Sequence, residues 1–454
     1  VIEMTLAEVA AAVGGVLRDA DPDAVVTGNV DFDSRKVTPG GLFAAFDGDK
    51  VDGHTFAAAT VKAGAVAVLA SKPVDAPAIL VDDVRAALQL LARAVVDRLP
   101  ELTVIGVTGS SGKTTTKDLI AAILAGHAPT VATAGSFNNE LGMPYTALQA
   151  TTQTRYLVLE MGARKIGHIA YLCGIAPPSI GVVINVGVSH IGEFGSQEAI
   201  AQAKGELVEA LPPTGLAVLN ADDPLVLAMR ERTRARVVTV GEEEHADLRA
   251  TDVSVDARDR ASFRIGDHRV TLAVPGRHQV GNALLAIAVA RHLGVPDAEA
   301  ALAGAKLPSE RRMDVFDRTD GGIVIDDSYN ANPASTAAAL RALAKIGAGR
   351  RTIAVLGYMA ELGEHERSGH EEVGRLAAEL GIDRLIAVGQ ITAPMCDGAA
   401  TVAGWGGESV QVTDQDAAVA WLREHLLPGD VVLVKASRYR TWQVADFLRE
   451  EAVA

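Results

Sequence analysis

The stretch GVTGSSGKTTTK, residues 106–117, follows the apolar run LTVI and gathers the residue types that hold phosphate: glycines, serines, one lysine and a row of threonines. Glycines let backbone N–H groups converge at a helix N-terminus, whose partial positive charge attracts an anion. Gly109, Ser110, Ser111 and Gly112 would form that cradle. Lys113 adds a full charge, and the hydroxyl of Thr114 or Thr115 would serve a phosphate-bound magnesium ion. The strict spacing G-x-x-x-x-G-K-[ST] requires a glycine where the chain has Val107, so what stands is the shorter T-G-x-x-G-K-T-T. The stretch predicts nucleoside triphosphate binding and leaves kinase, motor, synthetase and transport ATPase all open.

If this loop holds a triphosphate, other strand ends on the same sheet should carry its partners. LVLEMG ends in Glu160, and a carboxylate there suits magnesium, a hard cation that takes oxygen ligands; the alternative is a helix-capping acid. VVINVGVSHIGEFGS supplies Asn185 and His190, although a histidine beyond a strand is more often a satisfied structural residue than a ligand. Lys204 sits among small residues in EAIAQAKGELVEAL, where nothing local singles it out. Other signals are weaker. His365 and His370 are five apart and diverge by about 140° on a helix, which is not the four-residue spacing of a metalloprotease pair. GYMAELG lacks the glycine spacing of a dinucleotide fingerprint, and EEEH at 242–245 reads as a solvated loop.

The elements that must position these residues follow from the periodicity. From residue 101 strands and helices alternate (TVIGV, RYLVLEMG, IGVVINVG, GLAVLNADD, VVTVG), which predicts a parallel sheet covered by helices, with its binding residues at the carboxyl ends of the strands. Between 247 and 274 the period changes to two, and SFRIGDHRVTLAV predicts a hairpin turned by Gly266-Asp267. Strand and helix alternate again after about 313 (GIVIDDSYN, RTIAVLGYM, RLIAVG, DVVLVKASR). The first hundred residues mix alanine-rich helical stretches with short strands and end in the helical DDVRAALQLLARAVVDRLP. An α/β chain of three domains, 1–100, 101–312 and 313–454, is expected.

Composition narrows the function classes. With 42 basic and 57 acidic residues the net charge is −15, so no overall basic field recruits nucleic acid, and acidic substrates must be held by local cations. Cys173 and Cys396 lack metal-ligand spacing and point to a reducing compartment. The first residues carry acids where a signal peptide needs a basic start, and no apolar run reaches about 18 residues, so a soluble cytoplasmic protein without membrane insertion is expected.

Taken in order, DSRKVTPGGLFAAFDGDKVDGHTF, GVTGSSGKTTTK, GSFNNELGMP, LEMGA, NVGVSHIGEFGSQEAIAQAKGE, PGRHQVGNALLA, SERRMD, DDSYNANP and LGYMAELGEHERSGH resemble the Mur ligases of bacterial cell-wall synthesis, from about residue 30 to about 440. DDSYNANP is similar to the branch that adds a dipeptide; the Y-A-H-T-P-D and D-N-P-R type motifs of the branch that adds a diamino acid are absent. The resemblance implies a three-domain fold with a central P-loop-type parallel sheet and a Rossmann-like C-terminal domain. It implies that ATP phosphorylates the terminal carboxylate of a UDP-N-acetylmuramoyl-tripeptide. The amine of D-alanyl-D-alanine would then attack the acyl phosphate, in a protein acting as a monomer. The rival readings are a family member with another acceptor and a nucleotide-gated binding module that performs no transfer.

Site residues follow from the same resemblance. Lys113 and the backbone of Gly109 to Gly112 would hold the β- and γ-phosphates, Thr114 or Thr115 with Glu160 a first magnesium, and His190 a second. Lys204 aligns with a lysine that carries a carbamate, and partial burial would favour the neutral amine this needs. Asn282 would read adenine, Arg312 the γ-phosphate and Asp326 the ribose, with Tyr329 and Asn330 near the nucleotide. Asn138 and Asn139 would face the muramoyl peptide; Ser34, Arg35 and the Asp52-Gly53-His54 turn the uridine diphosphate; Lys435, Ser437 and Arg438 the dipeptide carboxylate. Two departures stand out: Gln279 follows His278 in the adenine motif, and Ala436 and Gln443 replace the glycine and glutamate of the C-terminal motif.

Overall fold

The structure, a computed structural model, describes residues 2–48, 51–187, 191–305, 307–437 and 440–453. The largest sheet has seven strands, all parallel, in the order Leu248–Arg249, Arg236–Gly241, Leu216–Asn220, Ile180–Val183, Thr103–Thr108, Tyr156–Glu160 and Thr130–Ala132. Thr103–Thr108 lies between strands that follow it on both sides, so the chain's winding reverses there. A crevice opens at the carboxyl end of such a strand, and the phosphate-loop sequence is what the chain places in it. The strand is buried on both faces, as its unbroken apolar run requires.

The change of period after 247 becomes a three-stranded antiparallel sheet, Thr251–Val255, Arg260–Ile265 and His268–Pro275. Its predicted turn is Gly266-Asp267, with Gly266 in the left-handed region at φ 56°. The third segment forms a six-stranded sheet, Asp314–Asp317, Ile323–Asp326, Val431–Lys435, Thr352–Leu356, Arg384–Val388 and Glu408–Val412, parallel except for its first pair. In the N-terminal segment a five-stranded sheet runs Val16–Arg18, Ala78–Leu80, Ala67–Ala70, Leu42–Ala44 and Val30–Asp31.

The helix Val84–Asp97 joins the first two of these units. Asp83 caps it, its carboxylate accepting from the amides of Arg85 and Ala86, and its apolar stripe (Val84, Ala87, Leu88, Leu91, Ala92, Val95) recurs every three or four residues. That stripe belongs to one continuous core cluster that contains Val9, Leu42 and Leu69 of the N-terminal segment together with Met143, Leu157 and Ile169 beyond it. Tyr145 adds a polar tie, its hydroxyl donating to the buried Asp31 at 2.9 Å; burial, and then that carboxylate, push the phenol up to about 12. The sequence boundary near residue 100 is therefore no break in packing. The six-stranded sheet has two clusters of its own, one on each face. Cys173 and Cys396 are both free, and no helix among the described residues is long and apolar enough to cross a membrane.

Leu91, 1% exposed, lies within the shared cluster. Leu91→Ala is expected to cost about 2–5 kcal/mol and to lower the unfolding midpoint of the first two segments together. Denaturant unfolding followed by limited proteolysis would check this, since separate release of the first hundred residues would mean that the two do not unfold as one.

Candidate active site

The phosphate loop leaves the strand Thr103–Thr108 and enters the helix Lys113–Ala125 through Gly112, which is left-handed at φ 80°. A β-carbon on Gly112 would lie 2.9 Å from Oδ1 of Asn282, so glycine is required twice over, by conformation and by space. Asn185, at the end of the neighbouring strand, staples the loop: its Oδ1 accepts from the amides of Ser110 (3.0 Å) and Ser111 (2.9 Å), and its Nδ2 donates to the Ser111 carbonyl at 3.2 Å. Lys113 Nζ donates to the carbonyl of Gly109 at 2.8 Å. Burial lowers the Lys113 pKa; Glu160 opposes this and Arg312 adds to it.

Glu160 closes the strand Tyr156–Glu160 at 1% exposure. Its Oε2 accepts from Thr114 Oγ1 at 2.8 Å and its Oε1 from Asn138 Nδ2 at 2.7 Å, so its oxygens take side chains rather than helix amides. Of the two threonines left open by the sequence, Thr114 is the one hydrogen-bonded to this carboxylate. Ser136 lies 3.0 Å from the same hydroxyl, and Arg312 Nη2 donates to Ser136 Oγ at 3.0 Å and to Thr114 Oγ1 at 3.3 Å. Lys204, on the helix Gln197–Glu209, is 4% exposed; burial, and then the like charge of Lys113, hold its pKa well below the usual lysine range. Two positions on, Glu206 accepts from the amides of Gly167 (2.5 Å) and Ala170 (3.0 Å), anchoring the start of the helix His168–Ile175 and the loop before it.

Residues 110–115, Asn138, Glu160, Asn185 and Lys204 line a cavity of about 1070 Å³ whose other wall is Arg312 on the linker and, from the C-terminal segment, Met313, Asp327, Tyr329, Asn330, Asn332, Glu361, Lys435 and Trp442. The Arg312 guanidinium lies 4.1 Å over the Tyr329 ring, and its buried Nε has no hydrogen-bond partner among the described residues. Lys435 is 2% exposed, ion-pairs with Asp327 and donates to the Asn330 carbonyl at 2.9 Å. Asn282, Gln279 and His278 form a hydrogen-bonded chain, with Asn282 Nδ2 on Gln279 Oε1 at 2.7 Å and Gln279 Nε2 3.1 Å from His278 Nε2. The glutamine that departs from the family pattern is thus the direct partner of Asn282.

Several expected residues fall elsewhere. Asp326 is not in the cavity wall: it is fully buried, its Oδ1 accepts from the Ser328 hydroxyl at 2.6 Å, and its Oδ2 faces Arg449 at 3.3 Å and Arg311 at 3.6 Å. Its neighbour Asp327 lines the cavity instead. Ser437 is 1% exposed and turned inward, donating to the Ala331 carbonyl at 2.9 Å. Asn139 lines the cavity but spends its Oδ1 on the amides of Leu141 and Gly142. His190 and Arg438 lie outside the described residues. The N-terminal set does not reach this cavity. There Arg35 pairs with Asp33, and Ser34 precedes it in the chain. Asp52 accepts from Lys72 (2.6 Å) and from Nδ1 of His54 (2.6 Å), while His54 Nε2 accepts from the Ser71 amide at 3.1 Å. The Lys72 ammonium, with His54 second, holds the Asp52 carboxyl down at about 2. Gly53 has the Phe46 carbonyl 2.8 Å from where a β-carbon would stand. Sequence reading missed Ser136, Asn332, Asp327, Glu206 and Lys72; all but Lys72 lie inside quoted motifs, where their neighbours drew attention first.

The arrangement fits a nucleotide with magnesium. The glycine cradle, the unpartnered Arg312 Nε and the hydroxyl–carboxylate pair offer an anion site beside oxygen donors. No cluster of three His, Cys, Asp or Glu side chains occurs among the described residues.

Family comparison gives Mur ligase catalytic domain at residues 27–103, Mur ligase middle domain at 107–290 and the Mur ligase glutamate ligase domain at 311–438. The chain is 50% identical to the UDP-N-acetylmuramoyl-tripeptide–D-alanyl-D-alanine ligase of Mycobacterium bovis, over 96% of this chain and 95% of the relative. It is 36% identical to the ligase of the same name from Bacillus subtilis, over 96% of each. Among solved structures, MurF of Acinetobacter baumannii matches with a TM-score of 0.88 at 31% identity, covering 98% of this chain and 99% of that one. MurF of Thermotoga maritima in complex with ADP matches at 0.80 and 30% identity, covering 94% and 98%.

The C-terminal segment is docked on the central one partly through two glycines. A β-carbon on Gly192 would lie 2.7 Å from the Gly363 backbone, and one on Gly363 2.6 Å from the Gly192 Cα. Gly192→Val is expected to leave both cores folded while preventing this approach. Small-angle scattering should then give a larger radius of gyration than wild type under the same conditions, with little change in melting temperature; equal radii would show that the contact does not position the segment.

Proposed function

The chain belongs to the Mur ligase family, and on that premise we infer that it is an ATP-dependent ligase joining D-alanyl-D-alanine to UDP-N-acetylmuramoyl-tripeptide, with release of ADP and phosphate, in peptidoglycan precursor synthesis. The observation that carries the residue roles is the convergence of Lys113, Thr114, Glu160, Lys204 and Arg312 on one cavity.

A carboxylate is a poor electrophile. Transfer of the γ-phosphoryl group to its oxygen makes an acyl phosphate; the dipeptide amine then forms the C–N bond as phosphate leaves and the amine gives up a proton. Such transfer needs positioning and charge neutralisation more than covalent protein chemistry. Lys113 exchanges its loop carbonyls for phosphate oxygens, and Arg312 Nε supplies a second donor. Thr114 and Glu160 would hold a magnesium ion and His190 a second, and bound magnesium would neutralise phosphate charge. Lys204 holds a carbamate, for which its buried, depressed amine is suited. Asn282, stabilised by Gln279, and the Tyr329–Asn330 turn flank the base and ribose. Asn138 and Asn139 face the peptide, and the Lys435–Asp327 pair lies beside the incoming dipeptide. Residues 1–100 hold the uridine diphosphate, with Arg35 and the Asp52–His54 turn at that site. The enzyme acts as a cytoplasmic monomer.

The defining experiment is phosphate release from ATP with UDP-muramoyl-tripeptide, with and without D-alanyl-D-alanine. Dependence on both substrates is expected, and release that ignores the dipeptide would overturn the assignment. Lys113→Ala is expected to lower turnover by about 10²- to 10³-fold at saturating substrates, with an unchanged circular dichroism spectrum.

Lys204→Ala is expected to be nearly inactive and to regain activity with added formate or acetate, small carboxylates that restore an oxygen donor in the vacated space. Lys204→Arg is the control, because a guanidinium does not take up carbon dioxide in this way. Wild-type rate in that variant would remove the carbamate from the mechanism.

A further inference from the structure

We propose that Asn332 is a positioning residue through which docking of the C-terminal segment sets the phosphate loop. The proposal rests on the nucleotide-binding reading of that loop. Asn332 is the N-cap of the helix Pro333–Ile346 and is 8% exposed. Its Oδ1 accepts from the Ser335 amide at 2.8 Å, and its Nδ2 donates to Ser111 Oγ at 3.0 Å. The orientation of the amide is fixed by the cap, because only oxygen can accept from the Ser335 N–H. The nitrogen must then face the loop. One side chain therefore does two jobs with its two ends, holding its own helix and reaching into the other segment.

Ser111 is the residue just before the left-handed Gly112, where the loop enters its helix. Asn185, from the central sheet, holds its amide and its carbonyl. Its hydroxyl is held by Asn332, from the C-terminal segment. A hydroxyl that accepts from an amide N–H keeps its own proton to donate. Since Ser111 lines the cavity, that proton is available to an anion there. The loop thus presents a directed donor when the C-terminal segment is docked, and undocking removes the group that directs it. Linkage is reciprocal, so a nucleotide on the loop favours docking by the same factor.

The test separates cap from latch. Asn332→Ser keeps a good N-cap oxygen but is too short to reach Ser111, and Ser111→Ala removes the acceptor. Calorimetric titration with ADP and magnesium is expected to show Asn332→Ser binding about fivefold more weakly than wild type, Ser111→Ala at least as weakly because it also removes the donor to the anion, and the double variant no weaker than Ser111→Ala, since the latch is already lost there. Scattering on the ADP-bound proteins should show Asn332→Ser more extended than wild type. Wild-type ADP affinity in Asn332→Ser, or losses that multiply in the double variant, would overturn the proposal. If melting shows that Asn332→Ser is unfolded, Asn332→Thr, which is uncharged, also keeps a cap oxygen and is also too short to reach Ser111, takes its place with the same expected weakening. A wild-type protein that binds no ADP would instead overturn the proposed function.

Discussion

The site is organised around one buried carboxylate. Glu160 ends a central strand almost wholly out of water, and a buried acid must have its oxygens satisfied or lose its charge. Thr114 and Asn138 satisfy them, one from the phosphate-loop helix and one from the loop that follows the strand Thr130–Ala132. Through Thr114 and Ser136 the network extends to Arg312, on the linker to the C-terminal segment. This one carboxylate therefore ties the phosphate loop, the Asn138 loop and the interdomain linker into one arrangement.

That linker is held in place rather than relaxed. Arg311 and Met313 both have positive φ, 58° and 52°, a conformation that costs non-glycine residues about 1–3 kcal/mol each. The compensation comes from the docked segment. Arg311 pairs with Asp446 at 2.5 Å and lies 4.8 Å over the Trp442 ring, and the Met313 amide donates to Asp327 at 3.1 Å. These contacts fix the linker to the C-terminal segment, so that Arg312 between them is presented to Ser136 and Thr114 of the central segment.

The two junctions of this three-domain enzyme differ in kind. The first is sealed by a continuous apolar cluster along Val84–Asp97 and by the Tyr145–Asp31 hydrogen bond. The second is polar, made of Arg312, the Asn332–Ser111 bond and the close approach of Gly192 and Gly363. Apolar junctions of this kind stay shut, whereas polar contacts exchange with water at little net cost. The second junction is therefore the one whose contacts can be exchanged for water most readily.

What could be read along the chain was what local chemistry dictates. The glycine loop, the alternation of strand and helix and the Gly266-Asp267 hairpin were all legible, because backbone preference and side-chain periodicity act within a few residues. So was the grouping of Lys113, Glu160 and the pair Thr114 and Thr115, whose types suit one ligand chemistry, although which threonine meets Glu160 was not. That Asp327 lines the cavity and Asp326, the residue expected there, does not was not legible: successive residues at a strand's end point to opposite sides, and which side is the cavity depends on the pairing of Ile323–Asp326 with Val431–Lys435. Nor were the partners of Arg312, Asn332 and Glu206 legible, since Arg312 and Asn332 meet theirs across about 200 residues and Glu206 across nearly 40. The sequence by itself determined the phosphate loop, its chemistry and the elements that carry it. Only the tertiary structure decided which polar side chains converge on that loop, because convergence depends on packing and docking between segments that no local periodicity encodes.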